Sequence, residues 1–105
     1  MKIGIIRCGE HSNNCAGFHC FPALQEKKGS FEGYGDIELI GFDTCGGCGR
    51  GNADKILEKA TRLKEKGAEV IHLGNCLVHP CPTVDLYEKA IKDGLEIEVV
   101  RGTHP

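Results

Sequence analysis

Four short apolar runs punctuate the chain, separated by stretches of different periodicity. Ile3 to Ile6 is nearly continuous and ends at Arg7-Cys8-Gly9, which predicts a buried parallel strand. Ile37-Glu38-Leu39-Ile40-Gly41-Phe42 is half alternating and predicts a second strand. Glu69 to Leu73 and Glu96 to Val100 predict a third and a fourth, the last rich in β-branched residues. Between the runs the period lengthens. Ala53, Ile56, Leu57, Ala60 and Leu63 share one face of a helix over Asn52–Lys66, with Asn52 as its N-cap and Gly67 just beyond its end. Glu58 and Arg62 add an i,i+4 pair on the outside. A second helix is predicted over Thr83–Asp93, with Leu86, Tyr87, Ala90 and Ile91 inward, Pro82 before it and Gly94 closing it. Residues 9–35 carry a weaker pattern. Phe18, Phe21, Leu24 and Gln25 fit part of a helix with Pro22 near its start, and Gly29, Gly33 and Gly35 mark a loop.

Strands that alternate with helices imply right-handed crossovers and a parallel sheet. The expected fold is a small three-layer α/β domain of four strands, flavodoxin- or Rossmann-like, in the order 2-1-3-4. At 105 residues the chain is read as one domain spanning 1–105.

Composition narrows the function classes. Thirteen Lys and Arg against fifteen Asp and Glu leave a net charge of −2, so no basic excess suits nucleic acid or a membrane surface. No apolar run approaches the roughly 18 residues of a membrane span. The apolar start before Arg7 is too short for a signal peptide, so a cytoplasmic location is expected.

Against that background, seven Cys and fifteen Gly stand out. Thiols at this density in a reducing compartment bind metal or do redox chemistry, and an odd number disfavours a fully paired disulfide framework. The strand map then orders them. Cys8 follows the first strand, Cys45 and Cys48 the second, Cys76 and Cys81 the third, and Thr103-His104 the fourth. All four positions lie at the carboxyl edge of a parallel sheet, where such folds bind ligands. Cys15, Cys20, His11 and His19 sit in the segment leaving the first strand and can fold over that edge.

Cys45-Gly46-Gly47-Cys48-Gly49 is the most specific motif. Two thiolates with two residues between them can grip one ion, while the glycines permit positive φ and turn N–H groups toward sulfur. The same spacing suits a redox dithiol, but Gly49-Arg50-Gly51 separate the pair from the helix that would depress a thiol pKa. Cys76-Leu77-Val78-His79-Pro80-Cys81-Pro82 offers a second set of donors in a loop stiffened by its prolines. His72, inside a strand, reads as a core histidine. Arg50, in a Gly-rich loop before a helix, is the candidate for an anion, whether a ligand or the thiolates themselves. Neither nucleotide-binding glycine motif is present.

Together, Cys8 after the opening strand, the central Cys45-Gly46-Gly47-Cys48-Gly49-Arg50, His72-Leu73-Gly74-Asn75-Cys76, Cys81-Pro82 and Gly102-Thr103-His104 resemble the CGGC-domain proteins over essentially the whole chain. The resemblance implies a prokaryotic metal-binding domain, with zinc suggested by the many Cys and His. It supports Cys8, Cys45, Cys48, Cys76, Cys81 and His104 as ligands, and Cys15 and Cys20 as further candidates. His79 is an additional candidate from its position alone. The leading expectation is a zinc protein; an iron–sulfur protein in electron transfer or redox sensing, or a thiol–disulfide oxidoreductase using Cys45 and Cys48, are the alternatives.

Overall fold

The computed structural model describes residues 1–46, 51–79 and 81–104. Four strands form one parallel sheet: β1 (Lys2–Arg7), β2 (Glu38–Thr44), β3 (Val70–Leu73) and β4 (Glu98–Arg101). Their order is β2-β1-β3-β4, as the alternation of periods predicts. Ile3 pairs with Val70 and Leu39, and Val70 pairs with Glu98, so one register runs across the sheet.

Side chains alternate across the sheet and create two cores. Ile6, Ile71, Leu73 and Val99 face helices α2 (Asn52–Glu65) and α4 (Val84–Leu95), which also pack against each other. Ile3, Ile5 and Val70 face the other way, onto Ala23 of α1 (Cys20–Glu26) and onto Phe31. Each fully buried Ile or Leu removed from water contributes about 1.5–3 kcal/mol.

Gly4 and Gly41 sit side by side on β1 and β2. A Cβ there would lie 2.9 Å and 2.4 Å from the Leu63 side chain, so these glycines let α2 settle onto the sheet. The register slips just before that pair, which leaves Ile40 as the extra residue of a bulge on β2.

Several local expectations change. Gly51, at φ 78, caps α2, and Asn52 is its first residue rather than its cap. The Asn52 side chain is buried and donates instead to the Cys45 carbonyl (3.0 Å) and the Tyr87 hydroxyl (3.0 Å). Helix α4 runs through Gly94 to Leu95 and ends on Glu96 at φ 52. Gly94 is kept small there because a Cβ would meet Leu57 at 2.9 Å. Leu86 is exposed, since the core side of α4 is made by Val84, Tyr87 and Ile91, with Leu95 partly buried against it. Phe18 lies outside α1 and is exposed. The strand expected from Glu96 begins at Glu98, because Glu96 is taken by the helix end.

Candidate functional site

The loops that leave the parallel strands gather at one edge, and the expected donors come with them. A cleft of about 910 Å³ opens there. Cys8, Cys15, Cys45, Cys76, Cys81, His79 and His104 all line it, together with His11, His19 and Phe18. Cys20 does not. It is buried beneath the cleft, on a hollow of about 30 Å³ shared with Arg7, Cys15 and Cys76. Cys48 and Arg50 lie outside the described residues, as do Gly47 and Pro80.

Two contacts join the loops. The Cys8 N–H donates to Cys76 Sγ at 3.4 Å, and the Gly9 N–H donates to Cys45 Sγ at 3.4 Å. The turn after β1 thus holds a sulfur from the end of β2 on one side and a sulfur from the end of β3 on the other. The Cys8–Cys76 contact falls between β1 and β3, where the direction of chain winding reverses and ligands of open α/β sheets bind.

Cys76 is carried by α3 (Asn75–Val78), a single helical turn where a stiff loop was expected. Gly74 precedes it, and a Cβ at Gly74 would press to 3.1 Å from Arg7 Cβ and 3.5 Å from Cys76 Sγ. Glycine there lets β3 turn close to β1 without displacing Arg7. Asn75 then ties in the last loop. Its Oδ1 accepts the Thr103 N–H at 2.8 Å, and its Nδ2 donates to the His104 carbonyl at 2.7 Å.

The thiols differ in electrostatic setting. Burial pushes the Cys76 thiol up from its ordinary pKa, opposed by the Cys8 N–H. The Cys15 thiol is held below its ordinary value, chiefly by the main-chain N–H groups of Gly17 and Phe18, with a smaller push from Arg7. Cys81 Sγ sits 3.2 Å from the Thr83 hydroxyl, and Cys20 Sγ 3.4 Å from the Thr103 hydroxyl.

Arg7 organises the floor, a role its place at a strand end does not announce. Its guanidinium donates to the Cys15 carbonyl and lies 4.6 Å over the Phe42 ring. Its Nε is buried with no hydrogen-bond partner among the described residues. Asn75 was also missed as a site residue; its only sequence signal is its place just before Cys76. His72 is buried in the opposite core, with Nδ1 2.9 Å from the Gly102 carbonyl and Nε2 2.9 Å from the Tyr34 hydroxyl. It stands away from the cleft, as a strand-interior position implies.

Among the described residues, no three of Cys, His, Asp and Glu are already gathered around one point in a way that would hold a metal ion. The donors share a cleft rather than a closed cage.

A family model for the CGGC domain matches residues 2–104. A protein of Methanocaldococcus jannaschii, described only as uncharacterized, is 42% identical over 114 residues, covering 99% of this chain and 87% of that one. No solved structure matches.

Proposed function

The chain belongs to the CGGC domain family, and from that premise we propose that it binds a soft metal ion at the carboxyl edge of its sheet, zinc first among the candidates. The observation that carries the reading is the pair of main-chain N–H···S contacts to Cys76 and Cys45 from neighbouring residues of one turn. Such donors stabilise thiolates and tune a bound metal. They also bring sulfurs from two strand ends to one backbone turn, which is how a site assembled from distant segments holds its ligands.

The donor chemistry fits a thiolate-binding ion. Cys8, Cys45, Cys76, Cys81 and His104 line one cleft. Cys48, two residues beyond Gly46, supplies the second thiolate of the central motif. Four ligands from this set satisfy the tetrahedral preference of zinc. Closing them around an ion needs side-chain movement, because the described donors are not yet gathered. Arg50, next to the central motif, offsets the negative charge of several thiolates. When bound, the ion supplies a fixed positive charge and Lewis acidity. The protein's own part is to orient the sulfurs through the turn at Cys8 and Gly9 and to leave one side open to the cleft.

The test is elemental analysis of anaerobically purified chain, with Cys45→Ser, Cys48→Ser and Cys76→Ser in parallel. The expected result is about one equivalent of zinc in the parent and a severe loss in each variant. A brown protein with visible absorption and iron would replace zinc by an iron–sulfur cluster at the same thiols. Less than about a tenth of an equivalent of any transition metal, even after reconstitution, would overturn the reading.

A further inference from the structure

We propose that Cys15, with Cys20 beneath it, forms a second, separate thiol pair that reduces the disulfide of a low-molecular-weight thiol seated in the cleft. The proposal does not depend on the metal reading. It rests on where two sulfurs lie. Cys15 borders both the open cleft and the small hollow below it, whereas Cys20 borders the hollow alone and is buried. A substrate can therefore meet Cys15 but not Cys20, which is the arrangement an attacking thiol and a resolving thiol require.

The local backbone prepares Cys15 for attack. The N–H groups of Gly17 and Phe18 cradle its thiol electrostatically and are the main influences holding it below its ordinary pKa. This cradle exists because Gly17 takes φ 86 and is pressed against the Phe21 ring, where a Cβ would fall at 2.7 Å. Arg7 holds the same loop from below through the Cys15 carbonyl. The exposed Phe18 ring and, with it, Leu77 give the cleft apolar lining. Its volume lies within the range of small-molecule sites, about 300–1,000 Å³.

The chemistry balances with the disulfide as oxidant. The Cys15 thiolate attacks one sulfur of R–S–S–R, the S–S bond breaks, and one half leaves as a thiolate with the bonding pair. Cys20 then attacks the Cys15 sulfur. The second half leaves as a thiolate, and the Cys20 proton passes to it. The substrate gains two electrons and departs as one thiolate, which takes a proton from water, and one thiol, while the chain loses them as a Cys15–Cys20 disulfide.

The experiment treats the full chain, reduced and anaerobic, with glutathione disulfide, both as isolated and after chelation. Quenched samples are mapped by peptide mass. The expected first product is a mixed disulfide on Cys15 that gives way to a Cys15–Cys20 bond, with or without chelation. Cys20→Ser should stop at the mixed disulfide. Gly17→Ala keeps the thiol but spoils the cradle, and should slow the first step about tenfold. Cys15→Ser, a surface change of one atom, should abolish it. First reaction at Cys45, Cys48 or Cys81, or a Cys15→Ser chain that reacts at the parent rate, would overturn the proposal. So would Cys15 selectivity that vanishes on chelation, because protection by metal would then explain it. A mixed disulfide that persists in the parent chain would remove Cys20 from the reaction. Metal content of Cys15→Ser, measured alongside, reports on the ion site alone and separates the two readings.

Discussion

Cys76 and Cys15 border the same cleft, yet their surroundings push them in opposite directions. Cys76 hangs from a strand end and is half enclosed, so burial disfavours its thiolate until something positive arrives. Cys15 belongs to the irregular segment after β1, where the N–H groups of Gly17 and Phe18 favour its thiolate. The strand-end wall is built from hydrogen-bonded sheet and glycine contacts and suits a fixed site. The irregular wall is built from a positive-φ turn and suits a reactive one. A cysteine's neighbours in space, more than its neighbours in sequence, set which chemistry it can do.

The largest expected effect separates the two walls by ligand loss. Cys76→Ser should cut metal content at least about tenfold, and Cys15→Ser should leave it near the parent value, measured by elemental analysis. Equal losses would mean that the two walls are one site. The next effect is reactivity. At neutral pH, iodoacetamide should alkylate Cys15 about tenfold faster than Cys76 in chelated protein, read by peptide mass. As pH rises the gap should narrow, because the Cys15 thiol, held lower, ionises first and Cys76, pushed up by burial, gains its thiolate later.

Asn52→Ala tests the scaffold of the strand-end wall. It removes donors to the Cys45 carbonyl and the Tyr87 hydroxyl inside the core. The expected cost is about 1–3 kcal/mol in urea unfolding, with weaker metal binding because Cys45 is less well held. The opposite core offers a pH test. Burial lowers the His72 pKa, against smaller opposing effects of the Gly102 carbonyl and Glu98. The unfolded chain then binds the proton more readily than the folded one. Stability is full above about pH 6.5 and falls as pH drops below it. Replacing His72 by Gln should flatten that acid limb without touching metal content, measured by thermal unfolding from pH 8 to pH 5. The smallest effect is at the surface. Glu58 and Arg62 pair at 2.6 Å with both side chains mostly exposed, so Arg62→Ala should change stability by no more than about 0.5 kcal/mol.

Much of the scaffold was legible because it depends on periodicity. The runs at Ile3–Ile6 and Glu69–Leu73 mark β1 and β3, and the face from Ala53 to Leu63 marks α2, because burial selects the same residues locally that it selects in the fold. The carboxyl-edge position of Cys8, Cys45, Cys76, Cys81 and His104 followed from the order of elements alone. Where local signals competed, tertiary contacts won. Asn52 looks like a cap by residue type, but the Cys45 carbonyl and Tyr87 offered it buried partners. Gly94 looks like a helix end, but it is small in order to clear Leu57. Leu86 fits an apolar stripe by spacing, yet α4 is rotated so that Tyr87 fills the core and Leu86 meets water.

By itself the sequence determined the fold class, the strand order and the edge at which the thiols meet, since hydrophobic period and the handedness of crossovers leave few alternatives. Only the tertiary structure decided how those thiols divide. The placing of Cys76 and Cys45 on the N–H groups of one turn and the burial of the Arg7 Nε beneath them arise from contacts between residues far apart in the chain, and the perch of Cys15 over Cys20 from the way their loop folds over the edge. Hydrogen bonds to sulfur and exclusion of water act over a few ångströms of space, and a one-dimensional pattern carries no measure of that distance.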